Sequence, residues 1–525
     1  MAASRLGGGT QTATMPSRRQ RLVLAALGVI GAVVVLLLAS RWGAGITTDS
    51  VRYIATARNM TSGAGLITHL DGPLVLHAPL YPALLSAVER VTGVDPFAAA
   101  HIVNGVLLGM LVYLSGILLF RYLPWDRGAV YLATGLLVVA MPILKTSVMA
   151  WSETLFSVFV VAFLVSLSRH FERGDASSLV LASVFAAFAC LTRYIGVTLI
   201  VAGVVAVLVL RGSELRGRWK RALTLALVAG APLAAWAVRN HLLTGTLFGE
   251  RPSSPYPLYR NLITAINTVL AWHIHWKVVW YGWVPLLAFA VVWLVVTVSR
   301  KRTRPGLVDY VRSIGPVGLF VVSYWGSLAL ASTLTAADEI GDRLMSPVFV
   351  PVLVLILVLV GRGADRLSRR LPPMTARRLL PVAVVLLMIY PAILSAQFVR
   401  EYLERGGYGY NSDLWRGSPT VHYVLTSGLS RSGEVLYSNG PAVAYFLANA
   451  HAKTVPAVGA YNSPDVVGDV MLLEGKWPAE RRAVLVWFDG VRREHLPSVA
   501  ELSQIARVAP LERFDDGAVY LIGRK

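Results

Sequence analysis

One stretch gathers the residue types that do chemistry. Thr48-Asp49-Ser50-Val51-Arg52-Tyr53 brings a carboxylate, a guanidinium and a phenol together, and His77-Ala78-Pro79-Leu80-Tyr81-Pro82 follows with an imidazole and a second phenol. Asp49, Arg52 and Tyr53 stand at i, i+3 and i+4, which puts them on one face of a helix. Arg58 falls on the opposite face. A carboxylate can take a proton from an attacking hydroxyl, and arginine binds phosphate through its forked donors. The combination suits a phosphate-linked substrate. Asp49 also stands where a helix could begin, and Asp is a good N-cap, so capping competes with chemistry as its role.

Other chemistries leave no trace. There is no Walker A motif and no glycine fingerprint between a strand and a helix. No HExxH is present, and the single cysteine, Cys190, excludes an intrachain disulfide and a multi-cysteine metal site. His273 and His275 are two apart, a spacing that diverges on a helix and faces opposite sides of a strand.

The elements that must position these residues are apolar. The chain is 55% hydrophobic and 15% charged, against roughly 25% charged in soluble domains, which points to a membrane protein. Residues 1–20 are small, polar and basic and read as a disordered cytoplasmic tail. The run 22–40 matches the roughly 20 residues that span a bilayer. It exceeds the about 7–15 residues of a signal-peptide core, so it reads as an uncleaved helix. Further apolar segments at 97–120, 128–143, 153–169, 177–192, 194–211, 221–241, 278–299, 314–334, 346–361 and 379–398 predict about eleven spans in a transmembrane domain covering 21–400.

Basic residues set the orientation. Arg18, Arg19 and Arg21 precede the first span, and alternate loops repeat the bias: Arg121 and Arg127, Arg169 and Arg173, then 211–221, 300–304 and 362–378. This places the N-terminus in the cytoplasm and the chain beyond about residue 400 outside. The net charge of +20 therefore reads as topology and anionic-lipid contact, which argues against nucleic-acid binding. Residues 401–525 read as a small α/β domain, with strands at 434–437, 483–488 and 517–523 and a helix at 495–506. Gly406-Gly407-Tyr408-Gly409 reads as a linker. The predicted architecture is an all-α polytopic membrane protein with interfacial helices in the first outer loop, 41–96, and a C-terminal α/β domain.

With this topology the outer face collects the only varied set of acids, bases and rings. The first loop is joined there by Trp151-Ser152-Glu153, Arg193-Tyr194, the aromatic loop 242–277, and Asp338, Glu339, Asp342 and Arg343. Ionisable groups beside spans are costly and usually have partners or functions. Glu153, Arg193 and Asp342-Arg343 are thus either structural ion pairs or site residues.

In order and placement, Thr48–Tyr53, Asn59–Gly65, His77–Pro82, Trp151–Phe156, Leu191–Gly196 and Asp342–Pro347 resemble motifs of the GT-C superfamily of integral-membrane glycosyltransferases. The likeness is nearest to the family 39 group, which includes protein O-mannosyltransferases and the aminoarabinose transferase of lipid A. The resemblance implies a GT-C-like fold and inverting transfer of a sugar from a polyprenyl-phosphate donor. The acceptor would be a glycan, lipid or protein hydroxyl on the outer side of a bacterial plasma membrane, with Asp49 as base. Arg52, Arg58, Arg193 and Arg343 are the candidate phosphate ligands. Tyr53, His77, Tyr81, Glu153, Tyr194 and Asp342 are candidates for holding substrate. Ser50 stands where the family carries a second acid. The missing carboxylate weakens any expectation of a divalent metal, and no other cofactor is implied. The alternative is a transporter or lipid flippase. It predicts polar groups near mid-span and internal repeats, whereas the polar groups here cluster at one face and no repeat is visible.

Overall fold

The computed structural model describes residues 16–124, 126–210, 215–251, 253–275, 304–335, 338–367, 373–429, 433–456, 459–460, 463–467, 474–491 and 495–525. The first helix, α1 (Arg18–Ala39), starts inside the predicted tail. Ser17 N donates to Gln20 Oε1 at 2.7 Å, and this Ser-x-x-Gln capping box nucleates the helix before the apolar run begins. Residues 1–15 lie outside the described residues.

The first loop forms α2 (Thr48–Thr61) and α3 (Leu80–Thr92), both too short to span a membrane. The helical body continues with α4 (Pro96–Tyr122), α5 (Arg127–Leu136), α6 (Met141–Val148), α7 (Glu153–Arg173), α8 (Ala176–Thr192), α9 (Val197–Val209), α10 (Leu215–Thr244), α11 (Leu258–Ala271), α12 (Arg304–Leu334), α13 (Phe349–Leu367) and α14 (Pro373–Glu404). Among the described residues, seven helices are long and apolar enough to cross a membrane, or eight if the α5–α6 pair, bent by 45°, is one span. The shortfall from about eleven has local causes. Segment 278–299 lies outside the described residues. At 177–192 and 194–211, with the extended Arg193 (φ −150°) between them, α8 and the 3-10 turn leading into α9 are each short.

The bundle closes tightly where side chains are absent. A Cβ on Gly28 of α1 would lie 2.6 Å from the carbonyl oxygen of Gly109 on α4, so the two backbones touch. Helix α7 is buried along most of its length and carries Glu153 at its N-terminus. At the far ends of α4 and α7, Arg121 pairs with Glu172.

The glycine-rich stretch after α14 is a docking element as well as a connection. Ile46 N donates to Tyr408 O (3.0 Å) and Tyr410 N donates to Ile46 O (2.8 Å). Gly409 has φ +65°, and a Cβ there would lie 2.0 Å from Ile46 O, so only glycine allows this approach. Beyond it stand β1 (Leu436–Ser438), β2 (Ala452–Thr454), β3 (Gly459–Ala460), β4 (Ser463–Val467), β5 (Arg482–Phe488), β6 (Ala506–Phe514) and β7 (Gly517–Arg524). The five-stranded sheet has the order β2-β1-β5-β7-β6, with β1 parallel to β2 and β5, and β7 antiparallel to β5 and β6. The predicted helix 495–506 shortens to Val499–Ile505, because its capping box lies at Ser498 and Glu501 and Ala506 already begins β6.

Candidate active site

The site begins with the cap of α2, and Asp49 is not that cap. Thr47 N donates to Ser50 Oγ at 3.0 Å, while Trp151 Nε1 donates to Thr47 Oγ1 at 2.8 Å. Ser50 is buried and occupied with the helix start. The Asp49 carboxylate is left to face other elements. Its Oδ2 accepts from Arg343 Nη2 at 2.7 Å, while Oδ1 lies 3.2 Å from His77 Nε2 and 3.8 Å from Arg52 Nη1.

Arg343 is the hub. Its Nε donates to Glu153 Oε1 at 2.6 Å, its Nη1 lies 3.3 Å from Asp338 Oδ2, and its Cζ stands 4.3 Å above the Trp151 ring. Glu153 is fully buried; its Oε1 also pairs with Arg193, and its Oε2 has no partner among the described residues. Three guanidinium groups (Arg52, Arg193, Arg343) thus meet three carboxylates (Asp49, Glu153, Asp338), and Arg251 adds a fourth positive charge near Asp49 and Arg52, a surplus suited to an anion.

The tautomer of His77 follows from its neighbours. Arg52 Nη1 lies 3.1 Å from His77 Nδ1 and can only donate, so Nδ1 accepts and the proton of the neutral ring sits on Nε2, facing Asp49. Burial alone would raise the Asp49 pKa, but His77, Arg343 and Arg52 outweigh it and hold the carboxyl well below its usual range. Burial, aided by Arg52 and Arg251, lowers the His77 pKa despite Asp49. Both groups therefore hold one state at neutral pH, carboxylate and neutral imidazole.

The structure brings Asp49, Arg52, Tyr53, His77, Glu153, Arg193 and Arg343 into one cluster. Tyr53 is braced within it, its hydroxyl 3.2 Å from Ser152 Oγ and its ring edge-on to His77 and Tyr81. Four candidates have other partners. Tyr81 is fully buried and donates to Asn104 Oδ1 at 3.1 Å. Asp342 accepts from Trp272 Nε1 at 2.9 Å. Tyr194 donates to Val75 O at 2.6 Å. Arg58 lies about 14 Å along α2 from Asp49, with its fork filled by Asp95 at 2.7 and 3.0 Å. The helical face alone does not decide the place of Arg58: the Asp95-Pro96 start of α4 claims it. Trp151, Asp338, Arg239 and Arg251 join the site beyond the residues expected from the sequence; Trp151 opens the Trp151–Phe156 motif and Asp338 lies four residues before Asp342–Pro347.

These residues do not fit a divalent cation. Both Asp49 oxygens face cationic or N–H donors, and Ser50 is turned into the helix cap. Among the described residues no three or more His, Cys, Asp or Glu side chains are arranged so that they could hold a metal ion together.

No protein-family model and no curated protein matches the sequence. Among solved structures, ArnT from Cupriavidus metallidurans bound to undecaprenyl phosphate aligns over 94% of this chain and 97% of its own, with a TM-score of 0.51 and 15% sequence identity. The chain has a GT-C membrane fold. The apo form of the same ArnT aligns over the same shares at 16% identity and a TM-score of 0.47. An oligosaccharyltransferase from Archaeoglobus fulgidus, solved with zinc and sulfate, aligns over 88% of this chain and 68% of its own at 13% identity and a TM-score of 0.48. At such identities the likeness speaks for the GT-C fold alone.

Proposed function

We propose that this GT-C protein is a glycosyltransferase of the bacterial plasma membrane, with its N-terminus cytoplasmic and its site and C-terminal domain outside. It moves a sugar from a polyprenyl-phosphate donor to a hydroxyl of an envelope glycan, lipid or protein. The observation that carries this reading is Asp49, a single carboxylate held among Arg343, Arg52 and His77. The undecaprenyl phosphate bound to ArnT in the same fold supports the donor class.

The donor phosphate would compete with Asp49 for Arg343 and Arg52. Their charge, with that of Arg193, would stabilise the phosphate as the bond to the anomeric carbon breaks. The acceptor oxygen attacks from the opposite face, giving inversion, and the electron pair of the broken bond leaves with the lipid phosphate. A carboxylate of low pKa is adequate as base if the proton leaves late, because bonding to the anomeric carbon makes the acceptor oxygen far more acidic. The proton then passes to Asp49.

The test is turnover by purified protein supplied with a polyprenyl-phosphate sugar pool and envelope acceptors, with product identified by mass spectrometry. A new glycoside supports the reading. Saturable movement of substrate without glycosidic product favours the transporter instead. Arg58→Ala separates the arginines: it should change donor KM by less than about twofold and cost at most about 1 kcal/mol, as for a partly exposed ion pair. A donor KM raised tenfold or more would return Arg58 to the site.

A further inference from the structure

The segment that presents His77 is held in an unusual way. Among the described residues Leu74 to His77 joins no strand, although Leu74 N donates to Leu66 O at 2.8 Å, and each of its four carbonyls lies within hydrogen-bond reach of a side-chain donor. Arg239 Nη1 donates to Leu74 O at 2.8 Å, Arg251 Nη2 to Leu76 O at 3.0 Å, and the Tyr194 hydroxyl reaches Val75 O at 2.6 Å and His77 O at 3.2 Å. The clamp is itself braced. Trp236 Nε1 donates to the Tyr194 oxygen at 2.9 Å, Arg239 Cζ stands 4.5 Å from the Trp236 ring, and Arg239 Nη1 also reaches Asn240 Oδ1 at 2.9 Å.

We propose that this strap is a positioning device: Tyr194 and Arg239 fix Leu74–His77 so that His77 holds Asp49, and they act through His77 rather than on substrate. The inference rests on Asp49 being the base. Carbonyls bonded to three separate elements leave the segment little freedom. The groups facing His77 are Asp49, Arg52 and Tyr53 from α2 and Arg251 from the segment after α10. Only the Nε2–H form satisfies Asp49 and Arg52 together. Protonating the ring would set an Nδ1–H against the Arg52 N–H, break that bond, and add positive charge beside Arg52 and Arg251. The device therefore works at neutral pH and fails in acid, below the ordinary histidine value of about 6.5.

The experiment is a double-mutant cycle in the full-length protein with Tyr194→Phe and His77→Gln. Gln keeps a donor for Asp49 but cannot titrate. Tyr194→Phe is expected to lower kcat by about tenfold to a hundredfold, the scale of a small misplacement of a reacting group, with donor KM nearly unchanged. In the His77→Gln background the same change should cost less than about threefold, because the two act as one unit. In His77→Gln the acid limb of the kcat profile should move from the histidine range down to that of the Asp49 carboxylate. Full multiplication of the two effects would overturn the proposal and put Tyr194 on the substrate. So would an acid limb that stays in the histidine range in His77→Gln. If Tyr194→Phe fails to fold, Arg239→Lys takes its place in the cycle. The coupling is read independently of Asp49. Wild-type turnover by Asp49→Asn would sink the base assignment, whereas additive effects with an inactive Asp49→Asn would sink only the strap.

Discussion

Asp49→Asn is expected to lower kcat by about a hundredfold to ten-thousandfold, the usual range for removal of a general base, with donor KM unchanged or reduced. The direction of KM separates base from binding residue. Asn keeps the shape of Asp and one carbonyl acceptor but discards the charge that engages Arg343 and Arg52. Those guanidinium groups become more available to the donor phosphate, so ground-state binding should not suffer. Stability moves the other way. The folded-state pKa of Asp49 is depressed, so its stabilising contribution is present above the unfolded value of about 3.9 and is lost as pH falls through the folded value. At neutral pH the variant forfeits that contribution in full, and rates must be normalised to the folded fraction. Steady-state kinetics beside a thermal melt reads both effects. A raised donor KM with kcat intact would make Asp49 a binding residue and remove the proposed base.

Much of this site was legible in the chain because its signals are short-range. The i, i+3, i+4 spacing of Asp49, Arg52 and Tyr53 became an ion pair and a braced ring on one helical face. The cost of leaving charge beside a membrane picked out Glu153, Arg193 and Arg343, which meet in one network. What stayed hidden depends on contacts that no local pattern encodes. Arg343 reaches Asp49 across 294 residues, and nothing in either neighbourhood names the other. The strap has no strand periodicity, because its carbonyl partners come from α10 and from residues 194 and 251. β6 escaped because Pro510 and the irregular register beside it interrupt the alternation that marks a strand. The Ser17–Gln20 capping box is hidden by the polar tail in which it stands. Ser50 has a plain physical role: it completes the start of α2.

The other large effect is expected at Arg343. Arg343→Ala removes the group that joins Asp49 to Glu153 and leaves a fully buried carboxylate with Arg193 as its remaining ion pair. Loss of one partner from such a network typically costs about 3–5 kcal/mol, because the other charge stays buried. Donor KM should rise at least about tenfold through loss of the phosphate fork. Arg343→Lys keeps the charge, but an ammonium cannot present a planar face to Trp151 while bridging two carboxylates. It should fall between wild type and Ala in melting temperature and lie nearer Ala in donor KM. Glu153→Gln distinguishes ion pairing from simple packing. With the Glu153 charge gone, Arg343→Ala no longer takes a partner from that buried anion, so it should cost about 1–3 kcal/mol less than in the wild-type chain. Equal costs in the two backgrounds would mean that the Arg343–Glu153 bond does not carry the stability assigned to it. A donor KM unmoved by Arg343→Ala would take this arginine out of phosphate binding, leaving it as the strut that holds Asp49 and Glu153 at one point.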